Sequence, residues 1–156
     1  MKEVKYLCFD MDGTIADLYG VANWLPMLRA ESPTPYEIAK PIWDMDRLTT
    51  ALQKAQAQGI EICIITWLSK GSSKWYKKEV RKAKRKWLIE NDFPYNRFSA
   101  VQYGATKANS IRKFIGENES AILFDDNEEV RKGWHLGETV DPTVIDIIEF
   151  IEGLVK

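Results

Sequence analysis

The sequence contains a single histidine, two cysteines and no long hydrophobic run. Because a membrane-spanning helix needs about 20 consecutive apolar residues, none is expected. Cys8 and Cys63 each lie inside an apolar run, which favours buried free thiols over a disulfide or a metal pair. The first residues include the acidic Glu3 and only a short apolar run, so they do not predict a signal peptide. Together these absences predict a cytoplasmic protein with no membrane partner.

Net charge is also nearly absent, because 22 basic residues oppose 23 acidic ones and leave a formal charge of −1. The composition, 45% apolar and 29% charged, suits a globular protein with one domain, residues 1–156. Residues 70–88 are strongly basic, with Glu79 as their only acid. Apolar residues recur at helical spacing within 74–88, which predicts a helix with one buried face and one solvated cationic face. The alternative is an electrostatic footprint for nucleic acid or another polyanion.

Apolar, β-prone runs alternate with helical patterns along the chain. The predicted strands cover 4–9, 60–65, 98–102 and 121–124. The helical patterns begin near Leu48, Tyr76, Ala108 and Val144, the last with Asp141-Pro142 as its predicted cap. Strands that alternate with helices predict the α/β class, here a doubly wound, mainly parallel sheet with flanking helices. Residues 15–45 interrupt this alternation and predict a small helical insertion after the first strand.

Polar side chains follow three of the predicted strands directly. Asp10 and Asp12 follow the first, Thr66 ends the second, and Asp125 and Asp126 follow the fourth. In parallel sheets these strand ends meet beside one crevice, where carboxylates would repel one another without a cation. Oxygen ligands in a chain with one histidine suit Mg²⁺ far better than zinc, and Mg²⁺ often shares a substrate phosphate. The pattern therefore predicts a magnesium site for a phosphorylated ligand.

Three residues have side chains or backbone suited to a phosphoryl group. The hydroxyl of Thr66 can donate a hydrogen bond to a phosphoryl oxygen. The ammonium of Lys107, at the start of a helical pattern, could neutralise a phosphate or keep a carboxylate nucleophile ionised. Gly13 allows a tight turn that brings main-chain amides towards the phosphoryl oxygens.

The run Phe9-Asp10-Met11-Asp12-Gly13-Thr14 resembles the DxDGT signature of the haloacid dehalogenase-like hydrolases. The later elements of that family follow in its order: a strand-terminal threonine (Thr66), a lysine (Lys107) and a strand-terminal acidic pair (Asp125-Asp126). The resemblance covers most of the chain and implies the Rossmann-like fold of that family, with phosphatase activity.

The resemblance also implies a role for each matching residue. Asp10 would attack phosphorus and carry the phosphoryl group, and Asp12 would protonate the leaving oxygen and then deprotonate water. The dehalogenase branch works without metal and lacks this second aspartate, so Asp12 argues against it. Mg²⁺ would be held by Asp10, the main-chain carbonyl of Asp12 and Asp126, with Asp125 beside a metal-bound water or Lys107. The residues expected to bind the substrate are Gly13, Thr14, Thr66, Trp67 and Lys107.

The substrate is expected to depend on residues 15–45, which occupy the position of a small cap in this family. The compact aromatic insertion and Asp17, which we expect to cap a helix, resemble the deoxyribonucleotidase branch and imply a small-molecule substrate, a nucleoside monophosphate. Trp67 stands where that branch has smaller residues, and it either packs under the insertion or stacks on the substrate. The aromatic residues expected to form a small core in the insertion are Tyr19, Trp24, Tyr36 and Trp43.

Three alternatives remain at this point. The basic residues 74–88 favour a phosphorylated nucleic-acid end as an alternative substrate. A phospho-receiver domain has similar parts, but it places its acidic pair first and its lysine last, whereas Lys107 precedes Asp125-Asp126 here. An inactive phosphate-binding relative is the other non-enzymatic alternative.

Overall fold

The computed structural model describes all 156 residues, which form an α/β fold. The strands, in chain order, are β1 (Glu3–Phe9), β2 (Ala16–Asp17), β3 (Lys40–Pro41), β4 (Glu61–Trp67), β5 (Arg97–Val101), β6 (Glu119–Phe124) and β7 (Thr139–Val140). The helices are α1 (Trp24–Arg29), α2 (Thr34–Ile38), α3 (Met45–Ala57), α4 (Lys74–Glu90), α5 (Glu128–Lys132) and α6 (Ile147–Leu154). Two short 3₁₀ helices cover Leu18–Gly20 and Lys107–Ser110.

Five of the strands form one sheet in the order β5-β4-β1-β6-β7, and every neighbouring pair is parallel. The predicted doubly wound parallel sheet with flanking helices is therefore confirmed. The order reverses direction about the central strand β1, since β4 lies on one side of it and β6 on the other. Such a reversal leaves a crevice at the carboxyl ends of the strands.

Alternate residues of β1 pack on opposite faces of the sheet. Leu7 and Phe9 belong to the larger apolar cluster, whereas Tyr6 and Cys8 belong to a separate cluster on the other face. This period of two is what a strand buried on both sides requires. Cys8 and Cys63 lie side by side in neighbouring strands, and both are buried free thiols, as the sequence predicts.

The register of the sheet places the ends of β1 and β6 level with each other, whereas β4 continues for three residues past that level. Phe9 pairs with Ile64 on β4 and with Phe124 on β6, and the rings of Phe9 and Phe124 stack with centroids 4.4 Å apart. The residues that follow Phe9 and Phe124 are Asp10 and Asp125. The packed rings therefore fix the two carboxylates next to each other at the edge of the sheet.

Three local features differ from the sequence expectations. The two-residue strand β7 has no sequence signal, because it is too short to show a period. Residues 107–110 form a 3₁₀ helix and residues 111–114 form hydrogen-bonded turns, rather than an α-helix, and apolar residues three apart also share one side of a 3₁₀ helix. The last helix begins at Ile147 with Asp146 as its cap. Asp141 instead accepts hydrogen bonds from the amide and hydroxyl of Thr143, which holds a separate turn.

Residues 15–45 form a small substructure over the carboxyl edge of the sheet. The strands β2 and β3 pair antiparallel, and α1 and α2 lie between them along the chain. Asp17 caps the first 3₁₀ helix by accepting a hydrogen bond from the amide of Gly20 at 3.0 Å. The indole nitrogen of Trp43 donates to the carbonyl of Thr14 at 2.8 Å, which ties this substructure to the loop after β1. No helix in the structure, inside or outside this substructure, has the length and apolar character needed to cross a membrane.

Candidate active site

Asp10 lies at the floor of a cleft of about 660 Å³ above the carboxyl ends of β1, β4 and β6. One of its oxygens, Oδ1, accepts a hydrogen bond from Nζ of Lys107 at 2.9 Å, and the other accepts from the hydroxyl of Thr14 at 3.1 Å. The residue is only 8% exposed, yet it lines the cleft. Its carboxylate is therefore fixed in orientation and still reachable.

The two members of the acidic pair have different surroundings. Asp125 is 1% exposed, and its oxygens accept from Nζ of Lys107 at 2.8 Å and from the amide of Asn127 at 2.9 Å. Asp126 is half-buried, and the hydroxyl of Thr14, at 3.4 Å, is the nearest side-chain donor, but its single proton is shared with the closer Asp10. Asp126 therefore has more unused oxygen lone pairs than Asp125.

Gly13 is required by the close approach of Asp126 to the loop after β1. Gly13 has a φ of +80°, a conformation that favours glycine, and a Cβ at this position would overlap Oδ2 of Asp126. The Gly in the DxDGT run therefore lets the acidic pair sit against this loop.

Asp10, Asp125 and Asp126 fit a hard divalent cation. Each of the three side chains offers one oxygen, and these oxygens lie within 4.8 Å of one another. An all-oxygen set of carboxylates is the donor chemistry that Mg²⁺ prefers, and no histidine or cysteine belongs to the cluster. These residues could therefore hold Mg²⁺.

The electrostatics of the cluster also favour a cation. Burial, reinforced by the negative charge of Asp10, raises the pKa of Asp125 to about 6 and that of Asp126 to about 7. Burial disfavours the ammonium of Lys107, but Asp10 and Asp125 outweigh it and raise the pKa of Lys107 above its usual value. One lysine thus neutralises only part of the negative charge.

Asp12 lines the cleft two residues after Asp10, and its side chain is 19% exposed. Its Oδ2 accepts a hydrogen bond from Nζ of Lys84 at 3.0 Å, and Oδ1 has no hydrogen bond within the chain. Burial raises the pKa of Asp12, although Lys84 opposes this effect. A carboxyl group with a raised pKa at a cleft surface can both donate and accept a proton.

Lys84 is a functional residue that the sequence analysis misplaced. It was expected on the solvated face of the basic helix, but it is 1% exposed and its ammonium lies among the strand ends. Its nitrogen also lies 5.1 Å from the centre of the Tyr36 ring. The available sequence signal was its position one turn after Val80 and next to Ala83, on the apolar face of α4.

The two threonines predicted to contact the substrate, Thr14 and Thr66, are both fully buried. The side chain of Thr66 has no exposed surface, and its hydroxyl accepts from Nζ of Lys84 at 2.6 Å. Thr14 also has no exposed surface, and its hydroxyl joins Asp10 to Asp126 and accepts from the amide of Asp126. Both hydroxyls therefore contact charged groups of the cleft, and their predicted contact with the substrate stays a prediction.

We use the term cleft floor for the charged residues just described: Asp10, Asp12, Lys84, Lys107, Asp125 and Asp126. The term cleft walls covers the exposed or half-buried aromatic residues above them: Tyr19, Trp24, Trp67 and Tyr103. Every buried side-chain nitrogen or oxygen in the structure has a hydrogen-bond partner, so any unpartnered oxygen of the cleft floor, such as Oδ1 of Asp12, is one that the cleft leaves accessible.

One wall of the cleft is formed by Trp67 and Tyr103, whose ring centroids are 5.0 Å apart. Trp67 is half-buried, and its indole nitrogen donates to the carbonyl of Ala105 at 2.9 Å. Its ring centre also lies 5.4 Å from Nζ of Lys107. Trp67 is thus a fixed flat surface beside the cleft floor, where a substrate ring could stack.

The opposite wall comes from residues 15–45. Tyr19 and Trp24 contact each other edge to face, with centroids 5.0 Å apart, and both line the cleft. Tyr19 is 52% exposed, so the expected small core of the four aromatic residues is only partly formed. Of the other two residues in that expectation, Tyr36 is buried against α4 and Trp43 is bonded to the loop after β1.

Comparison with known proteins gives structural neighbours only. No family model matches the chain, and no curated protein sequence matches it. It aligns over 89% of its length with a chain in the structure of the Pnkp1/Rnl/Hen1 complex, at 17% identity and a TM-score of 0.59. The aligned part is 46% of that chain, so this protein spans less than half of that neighbour's length.

A second neighbour matches from end to end. It is the D,D-heptose 1,7-bisphosphate phosphatase from Burkholderia thailandensis, with 12% identity and a TM-score of 0.52. The alignment covers 97% of this chain and 99% of the neighbour. At identities this low, the similarity shows a shared fold and does not show a shared activity. The chain therefore shares the α/β fold of these two neighbours.

Proposed function

We propose that this protein is a Mg²⁺-dependent phosphomonoesterase of the haloacid dehalogenase-like type, acting through an aspartyl-phosphate on Asp10. The observation that carries this proposal is the cleft floor. It sets a held carboxylate, Asp10, beside a second carboxyl, Asp12, and a cation, Lys107, under an open cleft. These are the parts that phosphoryl transfer needs: a nucleophile, a proton donor and positive charge.

In the first half-reaction, an oxygen of Asp10 attacks phosphorus and forms a new O–P bond. The bond from phosphorus to the substrate oxygen breaks, and the proton held by Asp12 passes to that oxygen, so the product leaves as an alcohol. Lys107, which is bonded to Asp10 and Asp125, keeps the nucleophile oriented and adds positive charge beside the transferring group.

In the second half-reaction, Asp12 removes a proton from water as the water oxygen attacks phosphorus. The O–P bond to Asp10 breaks, which releases inorganic phosphate and restores both carboxyl groups. One residue thus serves first as acid and then as base, a cycle that suits the raised pKa of Asp12.

Asp10, Asp126 and the main-chain carbonyl of Asp12 are the proposed Mg²⁺ ligands. When bound, Mg²⁺ would neutralise the negative charge of the phosphoryl oxygens and of the carboxylates. Asp126 is the better candidate of the acidic pair, because both oxygens of Asp125 already accept hydrogen bonds, from Lys107 and Asn127.

The preferred substrate class is a nucleoside monophosphate. The cleft has a volume of about 660 Å³, within the usual range of about 300–1,000 Å³ for small-molecule sites. Trp67 and Tyr103 on one wall, with Tyr19 and Trp24 on the other, offer flat surfaces for a base or another ring. Residues 15–45 would act as the small cap that sets this preference.

A phosphorylated end of single-stranded nucleic acid is the second candidate, and the basic face of α4 favours it. This basic face consists of Lys74, Lys78, Arg81, Lys82 and Arg85, and none of the five forms a salt bridge. The helix begins directly after residues 69–72, which line the cleft. One structural neighbour is a chain in the structure of the Pnkp1/Rnl/Hen1 RNA repair complex, and a fold shared with a chain of an RNA repair complex is consistent with this candidate.

The central test is turnover of p-nitrophenyl phosphate with and without Mg²⁺. Asp10→Asn keeps the shape of the side chain but removes the nucleophile, so we expect activity to fall by about a thousandfold or more. Asp17→Asn is the matched control, because Asp17 is exposed, lies outside the cleft lining and can be replaced as a cap by asparagine. A wild-type protein that is inert with Mg²⁺ on a panel of phosphomonoesters would contradict the proposal.

The substrate classes are separated by comparing nucleoside monophosphates with short single-stranded oligonucleotides that carry a terminal phosphate. Lys78→Glu/Lys82→Glu reverses two charges of the basic face. If nucleic-acid ends are the substrate, this variant should lower kcat/KM for the oligonucleotide by about tenfold and should weaken the salt dependence. Turnover of p-nitrophenyl phosphate should be unchanged. Equal kcat/KM of wild type and variant on the oligonucleotide would remove the second candidate.

A further inference from the structure

We propose that Lys84 is a positioning residue that holds Asp12 so that one defined oxygen, Oδ1, faces the leaving group. This inference rests on the proposed phosphatase function and adds a residue outside the motifs recognised in the sequence. Its basis is the unusual location of a lysine ammonium, 1% exposed, at the carboxyl end of β4.

The ammonium of Lys84 is fully used inside the protein. Its three N–H groups match three acceptors: Oδ2 of Asp12 at 3.0 Å, Oγ1 of Thr66 at 2.6 Å and the carbonyl of Trp67 at 2.9 Å. Because no donor is left and almost no surface is exposed, Lys84 has nothing to offer a substrate directly. Its effect must pass through the groups that it holds.

The consequence for Asp12 is a distinction between its two oxygens. Oδ2 is occupied by Lys84, whereas Oδ1 has no hydrogen-bond partner in the chain, and the residue lines the cleft. A proton carried by Asp12 for transfer therefore resides on Oδ1, since Oδ2 accepts from a cation. Free rotation of the carboxyl group about χ2 would spoil this arrangement, and the charge-assisted bond opposes it.

Helix α4 is built to deliver this lysine. The helix is capped by Ser73, whose hydroxyl accepts from the amide of Tyr76 at 3.1 Å. Its buried side packs through Tyr76 and Val80, and the indole nitrogen of Trp87 donates to the carbonyl of Ala39 at 2.7 Å. Lys84 lies on this same anchored side, so the backbone that carries it is fixed before the ammonium is placed.

Loss of this positioning should depend on the leaving group. A basic leaving oxygen needs the proton from Asp12 more than a weakly basic one does. Phenyl phosphate releases a phenolate that is far more basic than p-nitrophenolate. A misdirected Asp12 should therefore slow phenyl phosphate much more than p-nitrophenyl phosphate, whereas a general loss of structure should slow both equally.

The experiment compares wild type with Lys84→Met on both substrates in saturating Mg²⁺. We expect kcat/KM, which does not include the later hydrolysis of the aspartyl-phosphate common to both substrates, to fall about a hundredfold with phenyl phosphate and tenfold or less with p-nitrophenyl phosphate. Lys86→Met is the control on the same helix, because Lys86 is exposed and pairs only with Glu90, and it should behave as wild type. Equal losses on the two substrates, or no loss, would overturn the role of Lys84. In that case turnover by the wild-type protein would still support the phosphatase proposal. A wild type that turns over neither substrate would end both proposals.

A second variant covers the case in which Lys84→Met does not fold. Thr66→Val removes one of the three acceptors of Lys84 with little change in side-chain shape. This variant should show the same dependence on the leaving group with smaller effects. We expect kcat/KM to fall about tenfold with phenyl phosphate and threefold or less with p-nitrophenyl phosphate. Folding of each variant is checked by circular dichroism and thermal unfolding. A uniform effect of Thr66→Val on the two substrates would count against the inference.

Discussion

The cleft floor and the cleft walls are built on different physical terms. On the floor, charged groups are buried and held by short hydrogen bonds, such as those from Lys107 to Asp10 at 2.9 Å and to Asp125 at 2.8 Å. On the walls, aromatic rings such as Tyr19 and Tyr103 are about half exposed and meet through ring contacts. Burial makes the electrostatic interactions on the floor strong, whereas solvent access keeps the contacts on the walls weak.

This difference indicates that the cleft floor and the cleft walls would have separate roles in an enzyme. A floor whose lysines are held by buried, charge-assisted hydrogen bonds has one arrangement and can be aimed at a transferring phosphoryl group. Walls made of exposed rings can accept different flat partners, so they suit the choice of substrate. Changes to the floor should therefore alter kcat strongly, and changes to the walls should alter KM modestly.

The largest expected effect is that of Asp12→Asn on the floor. Asparagine can still accept from Lys84, but it cannot deliver a proton to the leaving oxygen or remove one from water. We expect kcat with phenyl phosphate to fall by about 10²–10⁴-fold. Because the second step is slowed as well, phosphorylated protein should be detectable by mass spectrometry after an acid quench. Turnover at the wild-type rate would remove Asp12 from its role.

A somewhat smaller effect on activity is expected for Lys107→Met. This change removes the cation that joins Asp10 to Asp125 and should lower kcat/KM about a hundredfold. It also leaves two buried carboxylates without their partner, which typically costs about 3–5 kcal/mol in the free energy of unfolding. Lys113→Met is the control, since Lys113 is exposed on the same segment. If the two variants behave alike in enzyme assays and urea unfolding, Lys107 has no special place.

On the walls, Trp67→Ala should have a modest effect confined to substrate binding. Removing a stacking surface costs about 1–3 kcal/mol per base, so KM for a nucleoside monophosphate should rise about tenfold with little change in kcat. Small phosphomonoesters without a ring should be unaffected. Trp75→Ala removes a tryptophan that is 59% exposed and serves as the comparison. A large loss in kcat would show that Trp67 contributes to the chemical step rather than to substrate binding.

The smallest effect concerns stability and pH. In the metal-free protein, the raised pKa values of Asp125, about 6, and Asp126, about 7, favour folding while these groups are protonated. That contribution is fully present below about pH 4, the ordinary value, and is lost as the pH rises through 6 to 7. Bound Mg²⁺ would offset the loss, so the Mg²⁺-induced rise in Tm should be a few degrees larger at pH 8 than at pH 5.

The control for this measurement is Asp126→Asn, which removes one of the two carboxyl groups with a raised pKa. The Mg²⁺-induced rise in Tm of this variant at pH 8 should be smaller than that of the wild type. Comparing Tm with and without Mg²⁺ at each pH removes the contributions of groups elsewhere in the chain. A rise in Tm that is the same at both pH values, or equal in the variant, would contradict the placement of the cation at this cluster.

Much of the fold was predictable, because its signals are local. The apolar runs that became β1, β4, β5 and β6 have the composition of strands buried on both faces, and each ends at or next to a turn or a polar residue. The convergence of Asp10, Asp12, Asp125 and Asp126 also followed, since parallel strands end at a common edge. Helix starts were less predictable, because a competing side-chain turn at Asp141 displaced the last helix to Ile147.

By itself, the sequence determined which residues reach the carboxyl edge of the sheet, because strand order and period leave few alternatives. Only the tertiary structure decided what those residues touch. The position of Lys84 on the apolar face of α4 is a local signal of burial, but only the packing of α4 shows that its ammonium contacts Asp12 and Thr66. Hydrogen-bond partners depend on contacts between distant segments, and a local pattern of residues does not encode them.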